Sequence, residues 1–502
     1  MKFYRFLKSI GLSVWQGLLK NEYIAGFISR HEKTASFLKR RSNRQTFWGL
    51  SATLLGLTFL YVLFIFLGLI EDFITSAPIV AIDERLNNLL LLFRSDYYIN
   101  IFLWITNLGR AQIIVSLMII LSLIFWLFKK KTYLIGAWLS LIGSSSLSAL
   151  SKLAFHRDRP LFPVYTETNF SFPSGHATVA VAVFGFIAYF LFKNTKRIIF
   201  RIFIILGALL VIAAVGFSRI YLGVHYLSDV LAGYLLGLLW LILGISLTEW
   251  QLDRQESEKS LIVKVINYKI KIATVILLLL ELGFFIYTAA NYHPVKSALA
   301  TTSPVIINSI LNLPTNFNLP KYSETIVARQ QEPLSFMILS RDDQTFIGAM
   351  AKAGWLLADP INDESLRQVY KAAIFKFSYP RAPMTPSFWN GETHTFGFEK
   401  STAENSVRQR NHARFWKTNL KSEDGKIIYV GTASLDTNLK WGVTHKIAPD
   451  IDTERERLFQ DLQAAQKVQD FKKEIFVKPT LGKNFTGDEF FTDGNIYVII
   501  LK

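Results

Sequence analysis

Seven stretches of this chain, near 49–70, 100–128, 132–151, 175–192, 198–217, 227–247 and 271–290, stay apolar for about the length a helix needs to cross a bilayer. No water reaches the backbone in hydrocarbon, so such stretches are confined to helices that satisfy their own N–H and C=O groups. Hydrophobic residues make up 51% of the 502 positions, and they are concentrated in these runs rather than alternating. From about Asn291 onward no run is long enough to span, and charges, Pro and Asn are spread throughout. The expected architecture is an α-helical integral membrane bundle with a soluble α+β domain after it. The net charge of +17 would suggest nucleic acid in a soluble chain. Here Lys and Arg flank the spans, as cytoplasmic loops do by rule, and no nucleic-acid partner is expected. The absence of cysteine excludes disulfides, thiol nucleophiles and cysteine-ligated zinc.

The chain divides into a basic amphipathic segment (1–48), a membrane domain (49–250), a cytoplasmic linker with the seventh span (251–292) and a soluble C-terminal domain (293–502). In the first segment Phe3, Phe6, Leu7, Ile10 and Val14 have helical spacing, with Lys2, Arg5 and Lys8 opposite. This predicts a helix lying on an anionic leaflet, or packed on the bundle itself. Lys129 to Lys131, Lys193 with Lys196 and Arg197, and the stretch from Arg254 to Lys271 mark one side as cytoplasmic. The opposite loops hold Glu71, Asp72, Asp83 and Glu84, and then three polar clusters.

Those clusters are Lys152 with Arg159-Pro160, then Pro173-Ser174-Gly175-His176, then Ser218-Arg219 with His225 and Asp229. His225 and Asp229, four apart at the start of a span, share a helix face. A carboxylate there can hold the imidazole Nδ1 proton and stabilise the cation formed if Nε2 attacks phosphorus. His225 is therefore the candidate nucleophile and Asp229 its orienter. His176, at the start of another span, is placed to protonate a leaving oxygen and later to activate water. Ser174 and the Gly175 amide suit a phosphate at a helix N-terminus. Lys152, Arg159 and Arg219 would hold the phosphoryl oxygens. Taken singly, each signal has a plainer reading: a histidine capping a helix, cations snorkelling to headgroups, a turn before a helix.

Together the eleven identities match Lys-x6-Arg-Pro, Pro-Ser-Gly-His and Ser-Arg-x5-His-x3-Asp, and the chain resembles the type-2 phosphatidic acid phosphatase superfamily over about 49–250. The resemblance implies a six-helix phosphatase core, here with a seventh span added, a phosphohistidine intermediate and no metal or other cofactor. His156, Arg157 and Asp158 fall at positions where the family varies, and no catalytic role is expected of them. Soluble vanadium-dependent haloperoxidases share these motifs, but the spans argue against that reading. The expected function is hydrolysis of a membrane lipid phosphate or diphosphate of the undecaprenyl diphosphate, phosphatidic acid or phosphatidylglycerophosphate class. A lipid phosphotransferase is the alternative within enzymes, and a non-catalytic membrane scaffold the alternative outside them. Counting spans from a cytoplasmic N-terminus puts the clusters and the C-terminal domain on the outer, periplasmic side of a bacterial inner membrane.

In the C-terminal region the sequence predicts a strand at Leu334–Leu339 and a helix from Asp342 or Asp343 to Gly354. It predicts a second helix over 364–375 and strands near 373–379, 393–399, 427–433 and 496–501. Ala353-Gly354-Trp355, the run from Arg410 to Trp416, and the stretch from Thr444-His445 to Arg455 resemble an LssY-type C-terminal domain. A partner-binding or substrate-presenting module, with a periplasmic protein as partner, is the expectation. His412, His445, Asp450 and Asp452 are of types that bind metal, but their spacing fits no ligand pattern. Glu281, in the middle of the seventh span, is expected to face protein or water.

Overall fold

The computed structural model describes residues 9–10, 13, 17, 21, 23, 26, 29–76, 78–256, 268–297, 303–307, 319–375, 378–406, 409–440, 444–484 and 487–502. Of the amphipathic set at the N-terminus only Ile10 is among them, exposed and helical; Phe3, Phe6, Leu7 and Val14 lie outside the described residues.

The membrane domain is all helical. Helix α1 (Glu32–Arg41) leads through a short π-helical turn into α2 (Ala52–Ile74), followed by α3 (Pro78–Leu91), α4 (Asp96–Asn107) and α5 (Ala111–Leu127). Then come α6 (Lys131–Phe155), α7 (Gly175–Asn194), α8 (Ile198–Tyr221), α9 (Leu227–Glu256) and α10 (Tyr268–Ala290). Among the described residues six helices are long and apolar enough to cross a membrane, and the count is seven if α4 and α5 are one span bent by 42°. The sequence predicts one continuous helix over 100–128. The break at Leu108–Arg110 is a correction, and α3 is an extra helix that the apolar pattern does not reveal.

Helix α9 is the axis of the bundle. Its glycines let neighbouring backbones close in: a methyl on Gly237 would sit 2.5 Å from the Thr178 carbonyl of α7, and one on Gly244 2.4 Å from the Gly136 carbonyl of α6. Small residues at helix contacts are how bundles pack where lipid is as apolar as the side chains. The buried carboxyl of Glu281 on α10 accepts from Ser116 of α5 at 2.9 Å, so this ionisable residue faces protein.

The C-terminal domain begins with β1 (Val305–Ile307), β2 (Tyr322–Glu324), β3 (Gln330–Pro333) and β4 (Phe336–Ser340). Helix α11 (Asp343–Lys352), β5 (Leu356–Leu357), α12 (Asp363–Phe375), β6 (Phe388–Trp389) and β7 (Glu392–Thr393) follow. Asp342 caps α11 by accepting from the Thr345 amide at 2.7 Å. Gly354, at φ +83°, turns the chain out beyond its end. The long strands are β8 (Phe396–Ser406), β9 (Gln409–Ser422) and β10 (Ile427–Lys440), with β11 (Thr444–Ile447), α13 (Asp452–Ala464) and β12 (Val468–Ile475) after them. Strands β13 (Thr480–Lys483), β14 (Glu489–Thr492) and β15 (Asn495–Leu501) complete the domain. The strand predicted over 373–379 is absent: 373–375 finish α12, whose helical period continues there, 378–379 are irregular, and 376–377 lie outside the described residues.

The main sheet runs β12-β15-β4-β10-β9-β8-β5, with β1 beside β9 and β11 beside β10. One face packs on α11 and α13 through Phe346, Met350, Leu458 and Leu462. The other carries Trp416, Ile428 and Val430 against Trp389, Phe476 and Val477. Burial on both faces explains why its central strands read as near-continuous apolar runs.

Candidate active site

Helix α6 ends at His156 in the left-handed region (φ +47°), and the chain turns into Arg157, Asp158, Arg159 and Pro160. The Ser171 amide returns to the Arg157 carbonyl at 2.9 Å. Three residues later the Ser174 amide donates to the Asp229 carbonyl at 2.9 Å, which ties the second cluster to the third. Gly223 (φ +67°) makes the sharp turn after α8, where a side chain would strike Arg94 and the Phe162 carbonyl. This turn brings His225 back over Arg219.

The structure places the predicted residues together at one end of the bundle. His225 is buried, with Nδ1 3.3 Å from the Asp229 carboxylate. Its Nε2 lies 3.4 Å from an Arg159 guanidinium nitrogen. Arg159 also donates to the Asn169 carbonyl at 2.7 Å, and Arg219 to Thr106 Oγ1 at 2.7 Å and to the Tyr165 hydroxyl. The Lys152 ammonium donates to the Phe170 carbonyl. Ser174 Oγ is buried without a hydrogen-bond partner among the described residues. Gly175 opens α7, and His176 follows against the α4–α5 break: a methyl on Gly109 would sit 2.9 Å from its ring. The break therefore makes room for the second histidine.

Burial pushes the His225 ring well below its ordinary value, and Arg219, Arg159 and Lys152 push it further. The ring is neutral near pH 7, with a lone pair available at Nε2.

Three residues were not expected from the sequence. Arg157 is one: it donates to Asp229 at 2.6 Å and to Asp83 at 2.8 Å. Asp83, on α3 and wholly buried, also accepts from the Ser228 amide at 2.9 Å at the start of α9. Asp83, Arg157, Asp229 and His225 thus form one continuous chain of charge behind the candidate nucleophile. The third is Glu167, whose carboxylate lies 2.5 Å from Arg219 and 3.4 Å from Arg159. Burial works against its ionisation, but the two arginines more than offset that and hold it below the usual carboxylate range. No motif spacing could have revealed Asp83 or Glu167. Arg157 had only its place in the first cluster.

The metal-type residues of the C-terminal domain do not converge. Asp450 accepts from the Asp452 and Thr453 amides, Asp452 pairs with Arg455 at 2.8 Å, and His412 lies in the sheet beside Asp436. The side chain of His445 lies outside the described residues.

The chain matches the PAP2 superfamily over residues 133–253 and the LssY C-terminus over 317–496. It is 35% identical over 182 residues to phosphatidylglycerophosphatase B of Bacillus subtilis (strain 168), covering 35% of this chain and 88% of that protein. It is 37% identical over 89 residues to a PA-phosphatase related-family protein of Dictyostelium discoideum, covering 15% of this chain and 24% of that one. Among solved structures, the transmembrane PAP2 type phosphatidylglycerolphosphate phosphatase from Bacillus subtilis aligns at 29% identity with a TM-score of 0.33. That alignment covers 41% of this chain and 98% of the other.

Proposed function

The chain belongs to the PAP2 superfamily, and from that membership we propose that it is a membrane phosphatase acting on a lipid phosphate through a phosphohistidine on His225. The observation that carries the reading is the buried His225 ring, 3.3 Å from Asp229 and 3.4 Å from Arg159, with Arg219 and Lys152 adding positive charge around it. The three cations hold the phosphoryl oxygens, joined by the Gly175 amide and the unpartnered Ser174 hydroxyl. His225 Nε2 attacks phosphorus, and the lipid oxygen leaves with a proton from His176. Water then passes one of its own protons to His176 as its oxygen attacks phosphorus, the P–Nε2 bond breaks, and inorganic phosphate departs. Asp229 stabilises the imidazolium form that exists between the two transfers. The substrate is a phospholipid phosphate of the phosphatidylglycerophosphate or phosphatidic acid class, or undecaprenyl diphosphate. Loop charge supports a periplasmic position for the site and the C-terminal domain, at a bacterial inner membrane.

The test is phosphate release by the purified protein across these three lipids, with and without chelator. Release from at least one, unchanged by chelator, is expected, together with an acid-labile phosphoenzyme that His225→Ala abolishes. Full activity in His225→Ala would overturn the mechanism. Transfer of phosphate to a lipid hydroxyl without release would make the protein a phosphotransferase.

A further inference from the structure

We propose that the C-terminal domain carries a second catalytic centre, in which Ser434 is a nucleophile activated by His412 and Asp436, and that its substrate is a carboxylic ester bearing an anionic group. Strands β9 and β10 pair His412 directly opposite Ser434, and Asp436 lies two residues further along the same face. Ser434 Oγ is 2.8 Å from His412 Nε2, and His412 Nδ1 is 2.9 Å from Asp436 Oδ1. A nucleophile within reach of a base, with a carboxylate beside the base's far nitrogen, is the residue set of an activated hydroxyl, and here Nδ1 and the Asp436 carboxylate are in close contact without an aligned hydrogen bond. Burial, opposed by Asp436, holds the His412 ring below its ordinary value, so it is neutral near pH 7.

A purely structural role accounts poorly for this cluster. Further along the same face, Trp416, Ile428 and Val430 build an ordinary apolar core. Taking ionisable groups out of water costs several kcal/mol each in round terms, and apolar side chains of similar size would pack as well. Here Glu399, Arg410, His412 and Asp436 are all buried side by side.

The substrate class follows from the arginines. Arg410 pairs with Glu399 at 2.7 Å, and its Nε lies 3.6 Å from Asp436. Arg414 is half-buried, its Nε has no partner among the described residues, and its Nη1 donates to His412 Nε2 at 2.9 Å. In the resting protein it therefore competes with Ser434 for the single lone pair of Nε2. A substrate anion draws the guanidinium to itself and leaves Nε2 to the hydroxyl. Ser434 Oγ then bonds to the ester carbonyl carbon while its proton passes to Nε2. The bond to the leaving alcohol breaks, and that oxygen takes the proton from Nε2. Water attacks the acyl-Ser434 with the same base, releasing the acid and restoring the serine.

The full chain in detergent tests this independently of the membrane site. A fluorophosphonate probe is expected to label Ser434, identified by peptide mass. Labelling should vanish in Ser434→Ala and His412→Ala, fall at least tenfold in rate in Asp436→Asn, and persist in His225→Ala. Mono-p-nitrophenyl succinate should be cleaved faster than p-nitrophenyl acetate, with both rates lost in Ser434→Ala. Phosphate release at the membrane site should be unchanged in Ser434→Ala, and an unchanged circular dichroism spectrum and Tm would show that the C-terminal domain is folded. Failure of the wild-type protein to label at Ser434, or equal labelling in His412→Ala, would overturn the proposal.

Discussion

At the scale of single residues, the reactivity assigned to His225 depends on groups it does not touch. Arg157 neutralises part of the charge of Asp229, and Asp83 in turn balances Arg157. Asp83→Asn should leave the guanidinium drawing more fully on Asp229, so the imidazolium is less stabilised. We expect kcat to fall about tenfold, near 1.4 kcal/mol of barrier, with KM unchanged and with recovery in Asp83→Glu. The pH profile separates this from a packing effect. His225 faces Arg159, Arg219, Lys152, Glu167 and Asp229, and its folded value already lies well below 6.5. The neutral ring is the reactive form, so kcat/KM should stay flat as pH falls through 6.5 and drop only below it. Removing the negative charge of Asp83 should move that drop to still lower pH. Glu167 is the opposite case, a carboxylate lodged between the two arginines proposed to hold the phosphate. Glu167→Gln should tighten inhibition by vanadate severalfold, and an unchanged inhibition constant would show that the carboxylate moves aside without cost.

At the scale of elements, the site depends on how closely α9 approaches α7 and α6. The Ser174 amide bonds the Asp229 carbonyl, so the relative height of α7 and α9 sets the relation between two motifs. Gly237→Ala would drive a methyl against the Thr178 carbonyl, a backbone atom that cannot rotate away. Overpacking of this kind costs roughly 1–3 kcal/mol, and we expect a lower Tm in detergent together with reduced turnover. Gly283 on α10 meets nothing within 4 Å, so Gly283→Ala should leave both unchanged. A loss of stability in Gly283→Ala as well would argue against this packing contact as the cause, since Ala favours a helix over Gly.

At the scale of the whole molecule, the C-terminal domain sits at the end of the bundle that holds the site. Arg85 pairs with Glu324 at 2.5 Å, Asn88 donates to the Gly391 carbonyl at 3.0 Å, and Tyr98 donates to Asp363 at 2.8 Å. The Thr166 amide donates to the Val295 carbonyl at 3.1 Å, and Tyr165 bridges Lys296. Tyr165 and Glu167 both bond Arg219, so the segment after α10 steadies the loop that lines the site. A chain ending at Trp250 keeps every motif but loses this brace and α10. We expect it to retain turnover of a short-chain substrate with a raised KM. Single cysteines test sidedness, since the chain has none. Cysteines at the exposed positions Thr168 and Glu423 should react with an impermeant maleimide on spheroplasts, and one at Asn194 should not. Labelling at Asn194 alone would invert the proposed orientation.

What the amino-acid sequence determined by itself was whatever rests on local composition. Long apolar runs are confined to helices, and most of those named here form as single helices. Alternating and β-rich runs likewise foretold β4, β10 and β15, and Asp342 and Gly354 marked the ends of α11. The catalytic-type residues were legible because their spacing within each cluster is short and particular. Tertiary structure decided what depends on partners distant in the chain. Asp83 meets Arg157 only because α3 folds under α9, and Glu167 meets Arg219 only because its loop is pinned by residues 295–297. The break at Gly109 does have a local mark, because Asn107, Gly109, Arg110 and Gln112 interrupt the apolar run, but only the fold shows that it forms where His176 needs the space. His412, Ser434 and Asp436 sit in strands whose pairing sets the register, so only the assembled sheet brings hydroxyl, imidazole and carboxylate into line.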